Sequence, residues 1–290
     1  MPNSVPFKQV DVFTSVPFQG NPVAVVNCWN LDEKEVHTSL MQKIANWTNL
    51  SETTFLFKPT IPNCDYKVRI FCPQSELPFA GHPTIGTCKA YLEFSGRKDV
   101  TEITQECGLG AISLSLEGET LSFKGAKTNI VEISDKEVQG YGSAFSTKLI
   151  ERARLLEVGP KWVVALVRDS KACFEMDVDF VGLNKVCTQF DATGVIIAGK
   201  YADEDKYEMR AFAPRIGVNE DPVCGSGSLA LARYLQEVNG YKTTYSFHIS
   251  QGGRVGRAGQ VSATIQHKEG EISYFIGGEA VTAIDGQILL

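Results

Sequence analysis

Asp221-Pro222-Val223-Cys224-Gly225-Ser226-Gly227-Ser228 runs straight into Leu229-Ala230-Leu231-Ala232-Arg233-Tyr234-Leu235. Glycines and small residues lead into a segment that is apolar on nearly every side, the pattern of a buried helix rather than a surface one. A buried helix that begins in a glycine loop presents unpaired backbone N–H groups and the positive end of its dipole. Such an end is a seat for a carboxylate or another anion.

The stretch has an earlier counterpart. Upstream of it stands Tyr207-Glu208-Met209-Arg210-Ala211-Phe212-Ala213-Pro214, and earlier still Tyr66-Lys67-Val68-Arg69-Ile70-Phe71-Cys72-Pro73. Both read Tyr-x-apolar-Arg-x-Phe-x-Pro. The first copy also leads into a small-residue turn and a helix, Ala80-Gly81-His82-Pro83-Thr84-Ile85-Gly86. Ile103-Thr104-Gln105 and Ile249-Ser250-Gln251 follow the two copies at a similar remove. Two long copies imply two similar lobes. A site between them is expected to receive a helix N-terminus from each.

The remaining sequence is consistent with that plan. A chain of 290 residues holds one large or two ordinary domains, and 43% hydrophobic with 21% charged residues is a globular composition. The net charge of −6 gives no basic footprint, so neither nucleic acid nor an anionic membrane is expected as a partner. The N-terminus lacks a signal-peptide pattern and no apolar run is long enough to span a bilayer, which points to the cytoplasm. In that setting the sequons at Asn46 and Asn49 carry no meaning. The eight cysteines are scattered, without paired spacing or neighbouring histidines. They read as reduced, buried thiols, and no metal site is expected.

In chain order, Lys8 to Thr14 and Val23 to Val26 read as strands, and Leu31-Asp32-x-x-Glu35 as a helix start with Asp32 as N-cap. Leu50 to Phe57, Tyr66 to Phe71, Thr101 to Gln105, Ala111 to Leu116 and Thr120 to Phe123 are further strands. The polar, glycine-containing stretch Gln139-Gly140-Tyr141-Gly142-Ser143 suggests the passage between lobes. Residues 1–130 are assigned to the first lobe, 131–275 to the second, and 276–290 to a segment returning to the first. Lys161 to Val167, Gly194 to Ala198 and Tyr207 to Phe212 are strands of the second lobe, and Asp179 to Cys187 a short helix. More strands follow Ser246, with Gly252-Gly253 and Gly277-Gly278 as turns or bulges. Many strands and few helices in each half predict an α+β fold, a sheet curled around one central helix per lobe, rather than a doubly wound parallel sheet.

Candidate chemistry clusters at the two helix starts. Glu52 either sits on the solvent face of its strand or points into a cleft, where desolvation would raise its pKa toward the range useful for proton transfer. The matching second-lobe segment, Asp191-Ala192-Thr193-Gly194-Val195, carries no carboxylate at that place, so the lobes are not chemically equivalent. His82 either caps local backbone or shuttles a proton. Asp221 either makes an Asp-Pro turn or acts as a second acid/base. Ser226 with the N–H groups of Gly225 and Gly227 would hold an anion, and the helix dipole would favour a thiolate at Cys224. Its repeat partner is Ala80. Gly225-Ser226-Gly227-Ser228-Leu229-Ala230 also fits the dinucleotide pattern Gly-x-Gly-x-x-Ala, but Glu220-Asp221-Pro222 replaces the hydrophobic strand end and would repel a pyrophosphate.

At Asn49-Leu50-Ser51-Glu52-Thr53-Thr54-Phe55, Phe79-Ala80-Gly81-His82-Pro83-Thr84 and Glu220-Asp221-Pro222-Val223-Cys224-Gly225-Ser226 the chain resembles the PhzF-like (phenazine biosynthesis-like) isomerases, with a fungal member in view. Asp11-Val12-Phe13 and Gly20-Asn21-Pro22 fit the same pattern, so the resemblance covers essentially the whole chain. It implies the fold of diaminopimelate epimerase, two pseudo-symmetric lobes each wrapped round a helix. It further implies cofactor-independent proton transfer on a small carboxylate-bearing metabolite, and a homodimer. Glu52 would be the acid/base, with His82, Asp221 and Ser226 around the substrate and Gly81 lending backbone N–H groups. The family's best-known member isomerises a dihydro-hydroxyanthranilate. The related epimerases use a cysteine at both helix starts; with only Cys224 here, proton movement by one carboxylic acid is expected rather than two-base inversion. A non-catalytic metabolite- or partner-binding protein on the same scaffold is the alternative.

Overall fold

The computed structural model describes residues 4–290. They fall into two compact units, the chain up to Phe123 together with Gly277–Leu290, and Lys124–Ile276.

The first unit runs β1 (Ser4–Val12), β2 (Asn21–Asn27), α1 (Thr38–Thr48), β3 (Glu52–Phe57), β4 (Tyr66–Phe71), β5 (Glu76–Leu77), α2 (Gly81–Ser95), β6 (Glu102–Cys107), β7 (Gly110–Glu117) and β8 (Thr120–Lys124). β3 lies parallel to β2 and antiparallel to β4, and β6 parallel to β4 and antiparallel to β7. β2 is buried on both faces, as strands between two helical layers are. Val26 joins the α1 cluster with Met41, Ile44 and Phe55. Val23, on the other face, meets α2 so closely that a Cβ on Gly86 would lie 2.3 Å from its Cγ1. Helix α2 is buried from His82 to Cys88, and β1, β2, β3, β4 and β6 all touch it, so the sheet curls around it.

The second unit repeats the plan. It runs β9 (Asn129–Glu132), α3 (Asp135–Gly142), β10 (Arg154–Glu157), β11 (Lys161–Leu166), α4 (Ser170–Glu175), α5 (Phe180–Gln189), β12 (Gly194–Lys200), β13 (Lys206–Ala213), β14 (Val218–Asp221), α6 (Gly225–Asn239), β15 (Tyr245–Gln251), β16 (Gly259–Lys268) and β17 (Glu271–Gly278). β12 is parallel to β11 and antiparallel to β13, and β15 parallel to β13 and antiparallel to β16. Val195 and Ile197 enter a cluster with Tyr141, Leu183 and Cys187 on one face. Ile196, on the other, reaches α6, where a Cβ on Gly227 would lie 2.6 Å from its Cδ1. The last strand, β18 (Ala280–Leu289), returns to pair antiparallel with β1.

The repeated arginine has a structural purpose. Arg69 donates through Nε and Nη2 to Glu76 at 2.7 and 2.6 Å, and Arg210 likewise to Glu220 at 2.9 and 2.8 Å. Each two-pronged pair ties the Arg-x-Phe strand to the short strand that delivers the chain to the helix start. The expected α+β fold, with one wrapped helix per unit, is what forms.

Two local expectations are corrected. Helix α1 starts at Thr38 rather than after Asp32. Asp32 instead accepts the Lys34 N–H in a side-chain turn while Val36 stays in the apolar cluster, and His37 takes the N-cap position. The stretch Gln139–Ser143 is no passage between lobes. Gln139 to Gly142 complete α3, well inside the second unit, which opens with a capping box of Ser134 and Glu137 and buries Tyr141. Two reciprocal cap bonds and a buried ring outweigh the helix cost of two glycines. All eight cysteines are free, seven of them buried, in keeping with reduced thiols.

Candidate active site

In the first unit, Glu52 is the first residue of β3, not its middle, and pairs in register with Val23. Its side chain is 16% exposed and turns away from solvent toward the start of α2. There His82 Nε2 lies 3.3 Å from Glu52 Oε2. His82 also hydrogen-bonds the backbone of Pro22, which has only a carbonyl to offer, so the imidazole is the donor. Among the described residues Nε2 makes no hydrogen bond, which leaves Nδ1 as the donor and the lone pair on Nε2. Burial pushes the imidazole down from 6.5 to about 3, against that Pro22 bond. The ring is therefore neutral at neutral pH, with Nε2 3.3 Å from the Glu52 carboxyl.

A buried polar chain fixes α2 over β3. Tyr66 donates to Gln105 Oε1 at 3.0 Å, Gln105 Nε2 to Thr84 at 3.0 Å, and Thr87 to Thr54 at 2.9 Å. Buried groups satisfied this fully hold one arrangement. Ala80 occupies the N-cap of α2 without a side-chain bond, and Gly81 lies against Phe123, whose Cζ a Cβ would approach to 2.9 Å.

In the second unit, β14 ends at Asp221, and Pro222-Val223-Cys224 turns the chain into α6. Asp221 accepts the Val223 N–H at 3.0 Å, so the Asp-Pro turn forms, and the Cys224 thiol also donates to its carboxyl. Burial nevertheless pushes that carboxyl up from 3.8 to about 6. Such a group changes charge just below neutral pH, as proton-transfer groups do. Cys224 is the N-cap of α6; its sulfur accepts the Gly227 N–H at 3.2 Å, and its carbonyl accepts Ser228 Oγ at 2.9 Å. Ser228 N–H also bonds the Cys224 carbonyl. Gly225 and Ser226 N–H are then the backbone donors left at the helix end, rather than the expected Gly225 and Gly227 pair. Gly227 is required all the same, since Ile196 and Cys224 occupy the space a side chain would need.

Two residues without an assigned role in the sequence complete this half. Gln251, 1% exposed, accepts the Cys224 N–H at 2.9 Å and donates to the Asp221 carbonyl at 2.8 Å, clamping the loop at both ends. The recurrence of Gln105 and Gln251 in the repeat was the available signal for both clamps. Trp162 donates its indole N–H to Ser226 Oγ at 3.0 Å. It pairs across strands with Gly194, a contact that sequence spacing does not reveal.

A sheet wraps round one buried helix in each unit, and an acid stands at each helix start, Glu52 in the first and Asp221 in the second. The chain belongs to the phenazine biosynthesis-like family, whose model matches residues 10–286, and it is an isomerase. It is 40% identical to Antisense-enhancing sequence 1 of Schizosaccharomyces pombe, over 97% of each chain. It is 31% identical to the trans-2,3-dihydro-3-hydroxyanthranilate isomerase of Pseudomonas chlororaphis, over 97% of this chain and 98% of that one. The crystal structure of a PhzF-family protein of Bacillus anthracis superposes with a TM-score of 0.84 at 20% identity, covering 99% of this chain and 100% of the other.

Proposed function

We propose that this isomerase moves a proton between carbon atoms of a small carboxylate-bearing metabolite without a cofactor, with Glu52 as the acid/base. The observation that carries the reading is the enclosed Glu52 carboxyl 3.3 Å from a neutral imidazole nitrogen. Glu52 as carboxylate takes a proton from a carbon next to an electron-withdrawing group. The C–H pair is drawn into the substrate, and Glu52 becomes the acid. The Nε2 lone pair then offers the new O–H an acceptor, which stabilises the half-reacted state. Return of the proton to a different carbon restores Glu52, so atoms balance and nothing is oxidised or reduced. Gly81 supplies backbone N–H to the substrate, and Asp221 is the second titrating group, serving the substrate's polar end. Gly225 and Ser226 hold its carboxylate at the helix start that the cap of Cys224 and Gly227 shapes, where fixed donors act on charge without reorganising.

The relative acting on trans-2,3-dihydro-3-hydroxyanthranilate makes that compound the first substrate to try. Glu52→Gln keeps the shape and removes the proton carrier. It is expected to lower turnover by about 10³-fold, within the range of general acid–base catalysis. Binding of 3-hydroxyanthranilate, an unreactive aromatic relative, should stay within about threefold by calorimetry. Turnover by the variant at the wild-type rate would overturn the assignment.

A further inference from the structure

Ser226 is held by two neighbours that push its hydrogen the same way. Trp162 is 4% exposed, and an indole N–H can only donate, so at this 3.0 Å contact Ser226 Oγ is the acceptor. The other neighbour is Cys224 Sγ at 3.5 Å. That sulfur already takes the Gly227 N–H, and its own hydrogen goes to the Asp221 carboxyl. It can offer Ser226 only a weak sulfur lone pair. The serine hydroxyl thus accepts from Trp162 and has its hydrogen resting on a poor acceptor. Any anion within reach outcompetes that sulfur.

We propose that Trp162 is a positioning residue that fixes Ser226 as a hydrogen-bond donor to the anionic group of the ligand. The inference rests on the reading of the α6 start as a carboxylate seat. Without the indole N–H, the hydroxyl is free to present its oxygen instead of its hydrogen, and part of its population then repels a carboxylate. The fold supplies room for this device through Gly194, where a Cβ would come within 2.7 Å of the Trp162 ring. The indole therefore both fills a space and directs a proton, and the two roles are separable.

β-(3-Benzothienyl)alanine placed at position 162 by nonsense suppression keeps the ring volume and replaces only the N–H. Calorimetry with 3-hydroxyanthranilate should show about tenfold weaker binding for that protein and at least as large a loss for Ser226→Ala. The double variant should bind no more weakly than Ser226→Ala alone, because the indole acts through the hydroxyl. With trans-2,3-dihydro-3-hydroxyanthranilate the loss should fall in KM more than in kcat. Trp162→Phe, with circular dichroism to confirm folding, should repeat the direction. Wild-type affinity in the benzothienyl protein alongside weakened Ser226→Ala overturns the inference and leaves the carboxylate seat standing. Unchanged binding in Ser226→Ala, or none in the wild type, overturns the seat itself and the inference with it.

Discussion

The two helix starts occupy the same place in the repeated topology and carry different side chains. In the first unit the parallel pair Val23 and Glu52 sends a carboxyl to His82, the second residue of α2. In the second unit the equivalent pair is Trp162 and Gly194, and an indole N–H reaches Ser226, the second residue of α6. Phe71 opposite Thr53 and Phe212 opposite Val195 confirm the register of that equivalence. One copy has a carboxyl beside an imidazole nitrogen. At the matching place the other has an indole N–H on a serine hydroxyl, with the Asp221 carboxyl on the approach to the helix. On the proposed function, a duplicated scaffold that replaces acid and imidazole with glycine and serine at one end separates proton transfer from anion holding.

The comparison is broken most severely by restoring the missing carboxyl. Gly194→Glu should not create a second acid. Its Cβ would meet the Phe212 carbonyl oxygen at 2.0 Å, a backbone atom that cannot swing aside. We expect a loss of at least about 4 kcal/mol, read as a collapsed urea midpoint. A folded Gly194→Glu protein of wild-type midpoint would refute the packing argument.

The next effect is a difference in pH response. The folded protein holds His82 neutral down to about 3, whereas an unfolded histidine takes a proton below 6.5. This group's contribution is therefore fully present above 6.5 and lost as pH falls, by roughly 1.4 kcal/mol per pH unit. For Asp221 the folded state keeps its proton up to about 6, while the unfolded state releases it near 3.8. Its contribution is lost as pH rises through that window, by roughly 3 kcal/mol in all. In urea titrations, His82→Gln should flatten the acid limb and Asp221→Asn should gain stability at pH 7. Identical pH curves for wild type and variants would contradict both assignments.

The smallest effect lies in the caps. Cys224→Ala removes the sulfur that accepts the Gly227 N–H and should cost about 1 kcal/mol, while Cys224→Ser should retain most of it. Ala80→Ser at the matching position should gain less than about 0.5 kcal/mol. Pro83 is the third residue of α2 and has no N–H, so a cap side chain there has one target fewer. Equal changes in melting temperature at both positions would remove this part of the asymmetry.

Much of this was legible because it repeats. The Tyr-x-apolar-Arg-x-Phe-x-Pro strands and the small-residue turns located both helices, and the absence of a carboxyl at the place matching Glu52 already marked the halves as unequal. What escaped reading depends on contacts far apart in sequence. Whether Glu52 faced solvent or His82 was set by the pairing of β3 with β2, and Trp162 meets Ser226 only through the curl of the sheet around α6. Local signals misled in two places for one reason. At Asp32 a cap-like residue made a turn because Val36 was required in the core, and at Gly140-Tyr141-Gly142 buried Tyr141 kept a helix where glycines suggested a break.

The most direct test is deuterium uptake from heavy water into trans-2,3-dihydro-3-hydroxyanthranilate, followed in wild type, Glu52→Gln and Ser226→Ala from low to saturating substrate. Glu52→Gln is expected to lose about 10³-fold at every concentration, while Ser226→Ala recovers most of the exchange at saturation. Exchange by Glu52→Gln at the wild-type rate, or equal loss in both variants at saturation, would contradict the division of labour between the two helix starts.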